Sequence, residues 1–244
     1  MVIDGLKLRL RPLPAFDLAR LTPPQRRSFG TVRGLLSPTE ATIYLSAELA
    51  PRQEPWLVYH ETGHAAIEWH RELLYLDTDY TLSQRVRELM EREANEFAGH
   101  LQFLGPRFAT EALELPFEID AVLTLAERYD ASIESSLRRY IESRTEECVC
   151  NVFRILPAED GRRALQFHYF IKPLRRRAHW NFSYAVGQIL PRDAALVQLL
   201  NNGNLDGGAI HDVVEYHEAT NAAYHQQAFS TGHAVFAVIR RCRG

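Results

Sequence analysis

YHETGHAAIEWH, Tyr59 to His70, is the stretch that decides how the rest of the chain is read. It contains His60-Glu61-Thr62-Gly63-His64, an H-E-x-x-H pattern. Residues four apart on a helix project from one face, so His60 and His64 can present two imidazole nitrogens to one ion. Zinc takes nitrogen and oxygen ligands in a roughly tetrahedral site, and a catalytic site leaves one position open for water. Glu61, beside the first histidine, is placed to take a proton from that water rather than to bind the ion. The competing reading is an ordinary amphipathic helix with two surface histidines. Leu57, Ala65, Ile67 and Trp69 suit a buried helix instead. A charged Glu61 inside such a helix needs a partner, because an unpaired buried charge is expensive.

A third ligand has two candidate sources. His70 follows His64 by six positions, the spacing of the H-E-x-x-H-x-x-G-x-x-H zincins. There a glycine lets the chain leave the helix. Here that position is Ile67, a β-branched residue that disfavours a left-handed turn. A continuous helix would carry His70 about 9 Å past His64 and roughly 120° around the axis, away from the ion. The stronger source is Glu91-Arg92-Glu93-Ala94-Asn95-Glu96-Phe97-Ala98. Leu89, Phe97, Leu101 and Leu104 have helical spacing, and neither Gly nor Pro interrupts Thr81 to Ala98. A carboxylate from this second helix would complete a His-His-Glu set. Glu91 and Asn95 share a face, so Asn95 can hold a ligating imidazole through its other nitrogen. Glu93 lies about 200° around the helix from Glu91, so the two cannot both face the ion. A solvated acidic face is the competing account of Glu91, Glu93 and Glu96.

HETGH, a long helical insertion and then E-x-E-A-N-x-F-A resembles the ImmA/IrrE family of zinc metallopeptidases. The resemblance spans about residues 28 to 105. IYLSAEL, Ile43 to Leu49, is similar to the strand that precedes the metal helix in that family, whereas LQFLGP, Leu101 to Pro106, departs from its pattern at the exit of the second helix. The resemblance implies that His60, His64 and Glu91 hold zinc (manganese being the alternative in the cell), with Glu61 as the base. It also implies the substrate: a helix-turn-helix transcriptional repressor of the XRE type, whose cleavage would release stress-response or mobile-element genes.

The bulk composition is ordinary. The chain has 244 residues, 46% hydrophobic and 24% charged, with 28 basic against 31 acidic side chains and a net charge of −3. That balance carries no polyanion-binding signature. Cys148, Cys150 and Cys242 do not make a disulfide framework; the first two are too close for an unstrained bridge. Reduced cysteines, no leader and no stretch of roughly 18 apolar residues predict a cytoplasmic protein without a membrane span.

Outward from the central motif, residues 1 to 50 read as β-rich. Leu6, Leu8 and Leu10 alternate with charges, Pro14 to Leu21 suits a short helix, and Thr22-Pro23-Pro24 a turn. Ser28 to Leu36 and Ala41 to Ser46 read as strands, the second a candidate edge for an added substrate strand. The metal helix is expected over residues 52 to 70 and a polar, aromatic connection over 71 to 80, where Tyr75 or Tyr80 could polarise a carbonyl. Ala121 to Tyr129 and Ser132 to Ile141 read as two short helices in a helix-turn-helix arrangement. Their nearly balanced charge favours packing or repressor docking over direct DNA contact. Cys148 to Leu156, Ala164 to Ile171 and Ala234 to Ile239 read as strands and Asn201 to Gly208 as a loop, while His217 and His225, eight apart on a candidate helix, read as surface residues rather than ligands. The last hundred residues resemble, in length and order, the GAF-like sensor domain of the IrrE branch.

The expected fold class is therefore α+β. A small zincin-like metallopeptidase domain, with a short β-sheet, an HExxH helix and a Glu-bearing helix, spans 1–110. A helix-turn-helix-like linker domain spans 111–145, and a C-terminal α/β GAF-like domain 146–244. The expected function is zinc-dependent endoproteolysis of a repressor. The alternative is a non-cleaving, metal-bound regulatory protein that senses a ligand and binds a repressor or DNA.

Overall fold

A computed structural model of the chain describes residues 2–13, 33–49, 53–76, 84–158, 160–174, 184–217 and 222–242. The chain divides into two compact units, Met1–Arg107 with Glu127–Ser132, and Phe108–Ala126 with Ile133–Gly244. The architecture is mixed α and β. Among the described residues no helix is long and apolar enough to cross a membrane.

The first unit runs α1 (Val2–Gly5), β1 (Arg9–Pro12), β2 (Gly34–Ser37), β3 (Thr42–Leu45), α2 (Glu54–Ala66), α3 (Glu68–Leu76) and α4 (Gln84–Gln102). The sheet order is β1-β3-β2, with β1 parallel and β2 antiparallel to β3. Leu36, Ile43 and Ala65 form a small core, against which Leu6, Leu8 and Leu45 pack. Of the three leucines expected to alternate along a strand, only Leu10 lies in β1. The helix expected from Pro14 to Leu21, the turn at Thr22-Pro23-Pro24 and the start of the strand expected from Ser28 lie outside the described residues. The placement of a substrate strand on Ala41 to Ser46 is corrected. β3 is hydrogen-bonded on both sides, so its backbone has no free edge. Among the described residues β2 pairs only with β3, and it lies against α2: a Cβ at Gly34 would fall 2.8 Å from Leu57 Cγ.

α2 begins with Glu54 and Pro55, residues suited to a first turn, and is buried over most of its circumference. The single helix expected from 52 to 70 is broken. Ile67 takes an extended conformation (φ −78°, ψ 113°), and its carbonyl accepts from the His70 and Arg71 N–H groups to start α3. Helix therefore continues to Leu76, through much of the expected connection. α4 ends where Leu104 and Gly105 adopt positive φ (51° and 61°) and the Gly105 N–H reaches back to the His100 carbonyl at 2.9 Å. Gln102 Nε2 then donates to the Tyr129 carbonyl at 2.8 Å, tying the 127–132 segment to this unit.

Three helices follow: α5 (Arg107–Glu114), α6 (Ile119–Arg128) and α7 (Ile133–Ser143). α6 and α7 coincide with the expected pair, and Asp130 makes the turn between them at φ 45°. In the second unit the buried Arg144 donates to the carbonyls of Leu115 and Pro116 at 3.1 and 3.2 Å, beneath the rings of Phe117 and Tyr140. The Pro116 carbonyl also accepts from the Tyr140 hydroxyl and the Glu118 N–H, so this loop is tied down by several donors.

The second unit continues with β4 (Cys148–Pro157), β5 (Arg163–Ile171), α8 (Ala195–Asn201), β6 (His211–His217), β7 (Ala222–Ser230) and β8 (Ala234–Arg241). The sheet is antiparallel, ordered β5-β4-β8-β7-β6. Phe153, Leu165, Phe167, Val235 and Ala237 share one core with Leu196, Val197 and Leu200 of α8. Cys148 and Cys150 are fully buried in β4, and burial pushes the Cys150 thiol well above its ordinary range. His217 and His225 lie on paired strands, not on a helix, because residues 211–217 and 222–230 form a hairpin. His225 Nε2 lies 2.7 Å from Asp212 Oδ1 across that pair.

Candidate metal centre

His60 and His64 stand one turn apart on α2, and Glu91 faces them from α4. His60 Nε2 is 3.2 Å from His64 Nε2 and 3.3 Å from Glu91 Oε2; His64 Nε2 is 3.6 Å from Glu91 Oε1. A tetrahedral ion with bonds of about 2.0–2.1 Å needs ligand atoms roughly 3.3–3.4 Å apart. The three separations fit such an ion, and two imidazoles with a carboxylate are a donor set that zinc accepts. These three residues could hold a metal ion.

Proton positions on His60 agree with that use. Its Nδ1 lies 3.0 Å from Asn95 Oδ1, an acceptor only, so Nδ1 carries the hydrogen and the Nε2 lone pair faces the other donors. Burial pulls the His60 pKa down, but the neighbouring Glu91 and Glu61 carboxylates outweigh it and the net shift is upward. The close approach of the His60 and His64 side chains holds the Glu91 carboxyl far below its usual range. Glu61 is buried, and burial raises its pKa while His60 and His64 oppose the rise. Its carboxylate accepts from the Leu36 backbone N–H, which anchors it to β2.

The spacing of the helices that carry His60, His64 and Glu91 is set by a small residue. A Cβ at Gly63 would lie 3.2 Å from Ala94 Cα and 3.3 Å from the Ala94 carbonyl, both backbone atoms of α4. Gly63→Ala gains up to about 1 kcal/mol of helix propensity. Against that stands overpacking of about 1–3 kcal/mol, since backbone cannot swing aside. The expected net result is a loss of about 1–2 kcal/mol in urea denaturation, with weaker metal uptake as α2 and α4 move apart.

His70 requires a correction. A continuous helix would have turned it away from the site. The extended Ile67 lets the chain redirect without a left-handed residue, and His70 packs fully buried beside His64, Nδ1 to Nδ1 at 3.2 Å. Its Nε2 lies 3.3 Å from Glu93 Oε2, in contact but off the line of a full hydrogen bond. Trp69 Nε1 donates to the same oxygen at 3.0 Å. Burial and the adjacent His64 lower the His70 pKa, against the pull of Glu93. His70 is not among the three clustered donors, and Glu93 faces it rather than them. Tyr59 lines a separate pocket with Pro55 and Gln102. Tyr80 and the side chain of Tyr75 lie outside the described residues.

The family model of the IrrE N-terminal-like domain, peptidase M78, matches residues 5–140. The chain belongs to this family. The matched span of the IrrE-like domain includes His60, Glu61, His64, Glu91 and Asn95, and ends within α7. A solved structure of a Mycobacterium tuberculosis transcriptional regulator is similar, with a TM-score of 0.55 and 14% identity, covering 98% of this chain and 77% of that one. At that identity the likeness shows a shared fold, and it extends beyond the IrrE-like domain to nearly the whole chain. No curated protein matches the chain.

Sequence reasoning missed the contacts made by His70, Trp69, Glu93 and Leu36. A partial signal existed for Glu93, whose position off the Glu91 face leaves it aimed at some other partner. Nothing in the residue order marks the Leu36 N–H.

Proposed function

We propose that the chain is a zinc-dependent endopeptidase whose substrate is a helix-turn-helix transcriptional repressor of the XRE type. The observation that carries this reading is the His60, His64 and Glu91 cluster, with donor atoms 3.2–3.6 Å apart beside a buried Glu61. Zinc, when bound there, supplies Lewis acidity to the scissile carbonyl and to water. Glu61 takes the proton of the attacking water and delivers it to the leaving amine nitrogen. Its burial supports that exchange, because a raised carboxyl pKa is closer to the working pH. Asn95 orients His60 through Nδ1. The substrate enters as an extended strand along β2, whose Leu36 N–H already touches Glu61.

Within this reading the catalytic part is 1–110, the helical part 111–145 docks the repressor, and 146–244 is a GAF-like sensor in the cytoplasm. The second reading, a metal-bound regulator that binds a repressor or DNA without cutting, draws on the similar fold of a protein described as a transcriptional regulator.

Incubating the zinc- or manganese-loaded protein with repressors encoded beside it, followed by mass spectrometry, tests both. The expected outcome is one metal-dependent cut in one repressor. Tight binding of the intact repressor with no cut, in either metal, favours the second reading. Salt-sensitive binding to duplex DNA without a partner would give that reading its DNA-binding form.

A further inference from the structure

We infer that His70 is a positioning residue for His64: it accepts the hydrogen on His64 Nδ1 and so turns the Nε2 lone pair toward the metal position. This rests on the metal-centre reading above. Two ring nitrogens 3.2 Å apart share one hydrogen, so one ring donates and the other accepts. If His64 is to offer Nε2 alongside His60 Nε2 and Glu91, its hydrogen must sit on Nδ1. His70 Nδ1 is then the acceptor, and the His70 hydrogen falls on Nε2, toward Glu93 Oε2 at 3.3 Å. The opposite order would place a hydrogen on His64 Nε2, in the space the ion needs.

The surroundings support the first order. His70 is fully buried, with His64 at one ring nitrogen. Glu93 Oε2 lies 3.3 Å from the other without completing a hydrogen bond, and a carboxylate at that distance favours an N–H over a lone pair there. Glu93 is in turn held by the Trp69 N–H, and the Trp69 ring meets the His70 ring edge to face at 4.3 Å. The break at Ile67 is what places His70 here, so backbone and side chains converge on one function. His60 and His64 are thus oriented differently: the first by the exposed amide of Asn95, the second by the buried His70, which the half-buried Glu93 and Trp69 back.

Two variants separate hydrogen bonding from packing. His70→Asn can keep an oxygen acceptor near the Nδ1 position; His70→Phe keeps ring volume and removes the acceptor. Zinc affinity is measured by competition with a chromogenic chelator, and folding by thermal unfolding of the metal-free proteins. The expected result is a roughly 10–100-fold loss for His70→Phe and at most about a threefold loss for His70→Asn. Wild-type affinity in His70→Phe, or equal losses in both variants, overturns the proposal. A long-range proton–nitrogen imidazole spectrum of the metal-free wild type provides an independent readout. The hydrogen on His64 Nδ1 is expected; finding it on Nε2 overturns the proposal. A wild-type chain that takes up no zinc overturns the metal-centre reading itself. The spectrum needs no metal and still decides the His64–His70 bond.

Discussion

Glu61→Gln is expected to abolish repressor cleavage, by at least about a thousandfold, while zinc content stays at the wild-type level. The amide has nearly the shape of the carboxylate and can still accept from the Leu36 N–H, so α2 and β2 keep their contact. What it loses is the ability to take a proton. His60, His64 and Glu91 are untouched, and the ion should remain. Single-turnover cleavage read beside metal content by atomic absorption checks this. Cleavage at the wild-type rate would remove Glu61 from the role of base, and loss of zinc together with cleavage would make it a structural partner of the ligands.

Glu91→Ala is expected to weaken zinc binding by more than the roughly 10–100-fold typical of partners outside the ligand set. Glu91 is the one carboxylate among the three residues that could hold the ion, and alanine leaves only the two imidazoles of α2. Glu93→Ala should cost less, because Glu93 touches His70 and Trp69 rather than the donor cluster. Chelator competition on the two variants ranks the carboxylates. The reverse order would move the third ligand to Glu93 and require α4 to turn by about half a revolution.

The part of the site that lies on regular helix was legible. Four-residue spacing places His60 with His64, and Glu91 with Asn95, whatever the rest of the chain does. What could not be read was a conformational choice at one residue. Ile67 avoids the left-handed region, but an extended ψ ends a helix equally well, and that option brings His70 back. Strand order was hidden for a different reason. Residues 41–46 look like any half-buried strand. Only the parallel return of Arg9–Pro12 makes them central, and that pairing links positions more than thirty residues apart. In the second unit, His217 and His225 suggested a helix because eight residues make about two turns. The hairpin between them is decided by pairing with β8, which local spacing does not report.

The two borders of the small sheet are unlike in a way that bears on self-association. β1 presents Arg9, Arg11 and Pro12, all exposed. Like charges and a residue without an N–H discourage a second molecule from docking there. β2 carries no charge and no proline in Gly34-Leu35-Leu36-Ser37, and Leu35 is exposed. Among the described residues no strand pairs with that border, and such an edge is a hazard for aggregation in most proteins. Here it runs beside Glu61, so under the proposed endopeptidase reading the same permissiveness that invites unwanted pairing would direct an incoming polypeptide to the side of the sheet where it could be cut.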